Sequence, residues 1–261
     1  MLTWPAGSAF GLWRGSSRTA LLTSGSLDAA QPWASVTKAA VAYGVARSVQ
    51  NTEIDLDAPL GPPGSTMKHL LAHASGLGLE ASDITAPVGT RRIYSNIGVD
   101  IAINSLLNSQ ELATWFKSNV NTPLQLSIEI AGRASSGAIG STNDLARLGR
   151  AWLSGGELSN AVRTEFTSCF LPDLSGVVPG FGRFTPCAWG LGLEIHGEKA
   201  HWMGSRFSAN SFGHFGQSGS LLLIDPDHDV VVAALAGAPF GEWAKQLWPR
   251  WMDWLFEEYV A

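Results

Sequence analysis

Ser35 and Lys38 stand three residues apart in the segment Ser35-Val36-Thr37-Lys38, within a helix-like run over 35–49. Residues i and i+3 of a helix share a face, with Cβ atoms about 5–6 Å apart, so the Lys38 amine can reach the Ser35 hydroxyl. A serine hydroxyl becomes a useful nucleophile when something takes its proton, and a neutral amine can do so. A free lysine titrates near about 10.4, so a base at Lys38 needs burial or a second cation to bring it down. A helix starting at or just before Ser35 would also point its free N–H groups and positive dipole end at a developing oxyanion. The plainer reading of SxxK is a helix start with a solvated lysine.

Tyr94-Ser95-Asn96 and His214-Phe215-Gly216 add a phenol, an amide and an imidazole. Each has a plainer alternative. Tyr94 could be a tyrosine with its ring buried and its hydroxyl wet, Ser95-Asn96 a helix cap ahead of Ile97, and His214 an ordinary sheet histidine. His69 and His73 have the i, i+4 spacing of a zinc pair. Leu70 follows His69 where a zinc protease carries Glu, and no third ligand is evident, so neither a metal nor another cofactor is expected. Residues 216–220 (GQSGS) misplace the second glycine of a nucleophile elbow.

The elements that must position these groups can be read from periodicity. Apolar stretches at 9–13 and 19–23, separated by Arg14-Gly15-Ser16-Ser17-Arg18, predict a hairpin. Helices are predicted over 35–49, 66–73 with a stop at Ser75-Gly76, 97–107, and 142–153 with Asn143 or Thr142 as cap and Gly155-Gly156 as stop. Strands are predicted at 188–195, 211–216, 220–224 and 230–235, with a turn at Asp225-Pro226-Asp227. Trp243, Leu247, Trp251, Trp254 and Leu255 form the apolar stripe of a last helix over 241–259. Strands near both ends and helices between them predict an α+β fold, an antiparallel sheet flanked by N- and C-terminal helices. Residues 1–50 and 180–261 would form the sheet domain and 51–179 an inserted, mostly helical domain.

Composition narrows the class. The 261 residues are 45% hydrophobic and 15% charged, enough for a large core. Seventeen Lys+Arg against 22 Asp+Glu give a net charge of −5, without the basic excess of a nucleic-acid binder. Apolar runs such as 230–238 are too short to span a bilayer. Two cysteines, Cys169 and Cys187, are expected as free thiols. The first residues lack a basic stretch followed by a continuous apolar one, so no signal peptide is expected, and the cytoplasm is the expected location. Of the eleven tryptophans, Trp13, Trp33, Trp189 and Trp202 are candidates for a cleft wall.

SxxK at 35–38, TMKHLLAHASGL at 66–77, YSN at 94–96 and HFG at 214–216 occur in one order. Together they resemble the serine β-lactamase and penicillin-binding-protein superfamily, specifically its branch of class C β-lactamases, D-alanyl-D-alanine carboxypeptidases and esterases. The resemblance runs from about Gly11 to the last helix and includes AIGSTNDLARLGRAWLSGG at 138–156. It implies a β-lactamase/transpeptidase-like fold with the active site where sheet and helical parts meet. It implies Ser35 as the acylated nucleophile, with Lys38 and Tyr94 shuttling its proton, Tyr94 as phenolate or through a hydrogen-bonded chain. Asn96 would hold a substrate amide or Lys38 in place. His214 and Gly216 would belong to the strand forming one cleft wall, and the N–H groups of Ser35 and Gln217 would form the oxyanion hole. HLLAHASGL would shape the floor.

Two departures bear on the substrate. Many β-lactamases and penicillin-binding proteins carry lysine where His214 stands, giving a fixed charge for a substrate carboxylate, whereas an unperturbed histidine is half-charged only near pH 6.5. The separations between Ser35, Tyr94 and His214 are also compact, as if cleft-rimming loops were trimmed. The expectation is a serine hydrolase acting through an acyl-enzyme on a small-molecule ester or amide. A lactam or a D-Ala-D-Ala peptide is the alternative substrate, and a non-catalytic binding module the alternative class. Neither nucleic acid nor membrane is an expected partner.

Overall fold

The computed structural model describes residues 3–15, 19–154 and 156–261; residues 16–18 of the expected hairpin turn and Gly155 of the expected helix stop lie outside them. Strands β1 (Ala9–Arg14) and β2 (Ala20–Ser24) pair antiparallel, as the two apolar stretches predict. Four more strands come from the C-terminal part: β3 (Glu194–Ile195), β4 (Phe212–Phe215), β5 (Leu221–Asp225) and β6 (Val230–Leu235). The six form one sheet in the order β2-β1-β6-β5-β4-β3, every neighbouring pair antiparallel. The first strand lies beside the last, from Ala9 opposite Leu235 to Arg14 opposite Val230, so the sheet is built from both ends of the chain.

Helices cover both faces. The principal ones are α1 (Thr37–Gln50), α2 (Met67–Leu71), α3 (Asn96–Asn104), α4 (Thr142–Ser154), α5 (Asn160–Thr167) and α6 (Glu242–Tyr259). Leu222, Ile224, Val231 and Ala233 belong to one apolar cluster with residues of α1 and α4, and Leu221, Leu223, Val230 and Val232 to a second with residues of α6. Burial on two faces explains why LLLID and VVVAAL read as continuous apolar runs rather than as alternating ones. Gly149 lets α4 lie close on the sheet, since a Cβ there would sit 2.4 Å from a Val231 methyl. Thus α4, which falls within 51–179, lies on the sheet, and the first apolar cluster runs on from the sheet to Leu70, Val99 and Trp115.

Several boundaries move for physical reasons. The predicted strand at 188–195 shrinks to β3 because the chain turns tightly between Gly190 and Leu193, with Gly192 at φ 80° and its Cα against Ala42. The cap of α4 is Ser141 rather than Asn143 or Thr142: its hydroxyl accepts from Asp144 N–H at 3.0 Å while the Asp144 carboxylate accepts from Ser141 N–H. Helix α2 ends at Leu71, before the expected stop, because His73 adopts φ 57°. On α6, Trp248 and Met252 complete the buried stripe, and Trp254 of the predicted stripe is exposed. Cys169 and Cys187 are both free. Among the described residues, no helix is long and apolar enough to cross a membrane.

Candidate active site

Ser35 sits not on α1 itself but in a 3₁₀ turn over Ala34–Val36 that leads into it. Ala34 holds φ 45°, an unusual conformation for a residue with a Cβ, and this kink aims Ser35 at the neighbouring strand. That strand, β4, continues into a turn closed by Gly219 N–H on the Gly216 carbonyl. Ser220 Oγ donates to the Trp33 carbonyl at 2.6 Å and pins this turn to the residues ahead of Ser35. Gly216 is required by the approach, because a Cβ would stand 2.5 Å from both the Trp33 carbonyl and Ser220 Oγ. The Ser35 amide belongs to the first turn, where N–H groups lack intrahelical acceptors, and the turn at 216–219 does not use the Gln217 amide.

Lys38 has no solvent exposure, and its Nζ lies 3.2 Å from Ser35 Oγ, 2.7 Å from Asn96 Oδ1 and 2.9 Å from the Ser135 carbonyl. Burial lowers its pKa to about 7, against the opposing pull of the Asp100 and Glu80 carboxylates. Two of its three partners are carbonyl oxygens, which can only accept. A neutral Lys38 amine therefore spends its two N–H bonds on Asn96 and Ser135, and its lone pair faces the Ser35 hydroxyl, the one partner able to donate.

The Asn96 amide is held in that orientation from its other end, because its Nδ2 donates to the acceptor-only Glu80 carboxylate. Glu80 pairs with Arg133, Arg133 donates from Nε to Asp100 at 2.7 Å, and Asp100 accepts from Ser135 N–H at 2.9 Å. A ring of hydrogen bonds thus leaves Lys38 through Asn96 and returns to it through Ser135. Glu80, Asp100, Arg133 and Ser135 escape sequence reading. Only Asp100 leaves a local signal, standing four residues after Asn96 on the same face of α3. Ser95 caps that helix, accepting from Gly98 N–H at 3.0 Å, as the capping reading expects, while Tyr94 and Asn96 on either side of it line the cleft.

Tyr94 places its ring 4.8 Å from Lys38 Nζ and its hydroxyl 3.4 Å from His214 Nε2. Burial pushes its pKa well above the ordinary phenol value, despite a hydrogen bond with Ser35, so the resting form is the phenol. His214 is buried, and burial, followed by the nearness of Lys38, lowers its pKa to about 3. Its Nδ1 lies 2.6 Å from the Phe215 carbonyl and so carries the proton, leaving an unprotonated Nε2 facing the Tyr94 hydroxyl at 3.4 Å. His214 is therefore neutral at physiological pH, not half-charged.

A cleft of about 300 Å³ opens onto these groups, with Ser35, Tyr94, Asn96, His214 and Gln217 among its lining residues. Trp189 forms part of its wall, while Trp13, Trp33 and Trp202 are buried and do not line it. His73 forms a floor, its ring 4.5 Å from that of Tyr94 and 4.7 Å from that of Trp189. Its Nδ1 accepts from Ser95 N–H, and His69 Nδ1 is bonded to Thr66 Oγ1 at 2.9 Å.

Comparison with known proteins bears on the family and the fold. The β-lactamase family model matches residues 23–127. A β-lactamase from Mycobacterium bovis is 36% identical, superposes with a TM-score of 0.94, and is matched over 99% of this chain and 97% of its own. Simvastatin synthase (LovD) from Aspergillus terreus is 14% identical with a TM-score of 0.80, over 98% of this chain and 94% of its own. A penicillin-binding protein homologue from Caulobacter crescentus is 18% identical with a TM-score of 0.73, over 90% and 87%. These two show the fold alone. A search of curated proteins gives no match. The extent and identity of the Mycobacterium bovis match decide the assignment: the chain belongs to the β-lactamase and penicillin-binding-protein-like superfamily, a family of β-lactamase fold whose members are generally serine hydrolases.

Proposed function

We propose that the protein is a serine hydrolase that forms an acyl-enzyme on Ser35 and hydrolyses a small ester or amide. The observation that carries this reading is the buried Lys38 amine, 3.2 Å from Ser35 Oγ and with its pKa lowered to about 7, so that its neutral form is available to take the Ser35 proton. Ser35 Oγ attacks the substrate carbonyl as its proton passes to Lys38 Nζ. The Ser35 and Gln217 amides receive the developing oxyanion, where one such donor is worth about a hundredfold or more in rate. Tyr94, as a phenol between Ser35 and His214, relays the proton to the departing alcohol or amine. Water then attacks the acyl-enzyme, its proton returns along the same path, and Ser35 is released.

The site draws Ser35, Lys38, His214 and Gln217 from residues 1–50 and 180–261, and Tyr94 and Asn96 from 51–179, so we place it at the junction of those two parts. Lactam hydrolysis is the second reading, favoured by the relative from Mycobacterium bovis being described as a β-lactamase. A neutral His214, which offers no charge to a lactam carboxylate, favours the ester or amide. A fluorophosphonate should add one adduct to the wild type by intact mass and none to Ser35→Ala, with p-nitrophenyl ester turnover lost in the variant. Full turnover by Ser35→Ala overturns the proposal. Tight ligand binding with no adduct from any acylating probe identifies a binding module instead.

A further inference from the structure

Charge is unevenly placed around the cleft. Leu79, Val178, Trp189 and Phe215 give it apolar walls, and among its described lining residues Glu80 carries the one formal charge at neutral pH. Burial opposes ionisation of Glu80, but hydrogen bonds from Arg133 and Asn96 outweigh it and hold the pKa below its usual value. Arg133 does not cancel that charge, since it bridges Glu80 and Asp100 and so serves two carboxylates at once. The other nearby cation, Lys38, has its three bonding directions committed to Ser35, Asn96 and Ser135. A substrate carboxylate entering the cleft meets no lysine or arginine among its described lining residues and faces a fixed negative charge.

The geometry points to Glu80 as a specificity-determining residue that makes this cleft accept uncharged acyl esters and turn away substrates carrying a carboxylate beside the scissile bond. The inference rests on the serine-hydrolase reading of Ser35. Glu80 is half exposed, so solvent and salt weaken its field, and the discrimination expected of one like charge at contact range is about tenfold at low ionic strength.

The test compares methyl 3-acetoxybenzoate with 3-acetoxybenzoate, which share the acyl group and differ by a carboxylate on the leaving group. The readout is the ratio of kcat/KM for the neutral to the anionic ester, each normalised to its hydroxide-catalysed rate. Wild type is expected to favour the neutral ester about tenfold, and Glu80→Gln to reduce that preference severalfold. The ratio cancels any effect of the substitution on Lys38 that both esters share. The wild-type ratio should also fall as NaCl rises to 0.5 M, a measurement that does not depend on the variant folding. A wild-type ratio near one, a ratio unchanged in Glu80→Gln, or one indifferent to salt overturns the inference and leaves the hydrolase reading standing. Absence of both turnover and a fluorophosphonate adduct on Ser35 overturns the two together.

Discussion

Replacing Lys38 with methionine removes a buried titrating group while keeping an unbranched side chain of similar length. The depression of Lys38 from its ordinary value of 10.5 to about 7 corresponds to about 5 kcal/mol of folded-state penalty on the ammonium form. Below pH 7 both folded and unfolded chains hold the proton, so this penalty is fully present in the wild type. Above pH 7 the folded form releases the proton while the unfolded form keeps it to about 10.4. The unfolded state then binds more protons, and wild-type stability must rise with pH. Integrating over the window, the wild type gains about 2.7 kcal/mol on Lys38→Met between pH 6 and pH 9. His214, Glu80 and Tyr94 are present in both proteins, so their own titrations, including that of unfolded His214 near about 6.5, cancel in the gap. The variant leaves Asn96 Oδ1 and the Ser135 carbonyl without this donor, which offsets part of its advantage by about 1–3 kcal/mol each. That offset is the same at every pH. Urea denaturation of both proteins at pH 6, 7, 8 and 9 measures the gap. A gap that stays constant across the series refutes the claim that Lys38 is held near neutrality by burial.

Three further outcomes follow from the same geometry. The kcat/KM for an uncharged ester should climb about tenfold per pH unit below pH 7 and level off above it, as Lys38 loses its proton. Because His214 is held at about 3, a profile governed instead by a group near 6.5 that vanishes in His214→Gln would contradict the assignment. Gly216→Ala must separate the turn at 216–219 from Trp33 and Ala34, and displacing a nucleophile by about 1 Å costs about a hundredfold in kcat/KM. A variant with wild-type kinetics and an unchanged melting temperature sinks that account. Ser35→Ala should lower ester turnover by about a thousandfold or more in steady-state assays, the scale seen when a nucleophile is removed.

Much of the framework is legible because it rests on local rules. The helix over 142–153, the apolar strands at 220–224 and 230–235 and the last helix each carry their own periodicity, and β1 and β2 are marked by a turn between two apolar stretches. The site residues that sequence brings forward are those whose chemistry is evident from type: a hydroxyl, an amine, a phenol and an imidazole. What stays hidden depends on contacts between distant segments. Arg133 and Ser135 reach Lys38 through 33- and 35-residue separations from Asp100, with no motif to announce them. The 3₁₀ turn at Ser35 is likewise imposed by the Trp33–Ser220 bond, 187 residues long in sequence, which overrides the helical propensity of 35–49. The charge of His214 could not be read from sequence at all, because it is set by burial and by a neighbouring amine.

A ring of fixed hydrogen bonds around a buried amine is hard to account for in a protein that only binds. A binding cleft gains nothing from Lys38 being desolvated, since an amine committed to Asn96 and Ser135 offers no free donor to a ligand. The fold bears that desolvation at neutral pH, where a methionine of similar size would be more stable below pH 7. Stability given up at a particular side chain is a property of sites that do chemistry, where a group must be held in a state it would not choose in water. Here that state has a direction as well as a protonation level. Glu80 sets the Asn96 amide, Asp100 sets the Ser135 peptide, and between them they leave the Lys38 lone pair with one place to point, the Ser35 hydroxyl. An isolated SxxK pair on a solvated helix face would share the spacing but neither constraint. The difference between the two lies in the surrounding acceptors, and substitutions at Glu80 or Asp100 that preserve Ser35 and Lys38 are therefore the sharpest probe of whether this arrangement is chemistry or coincidence.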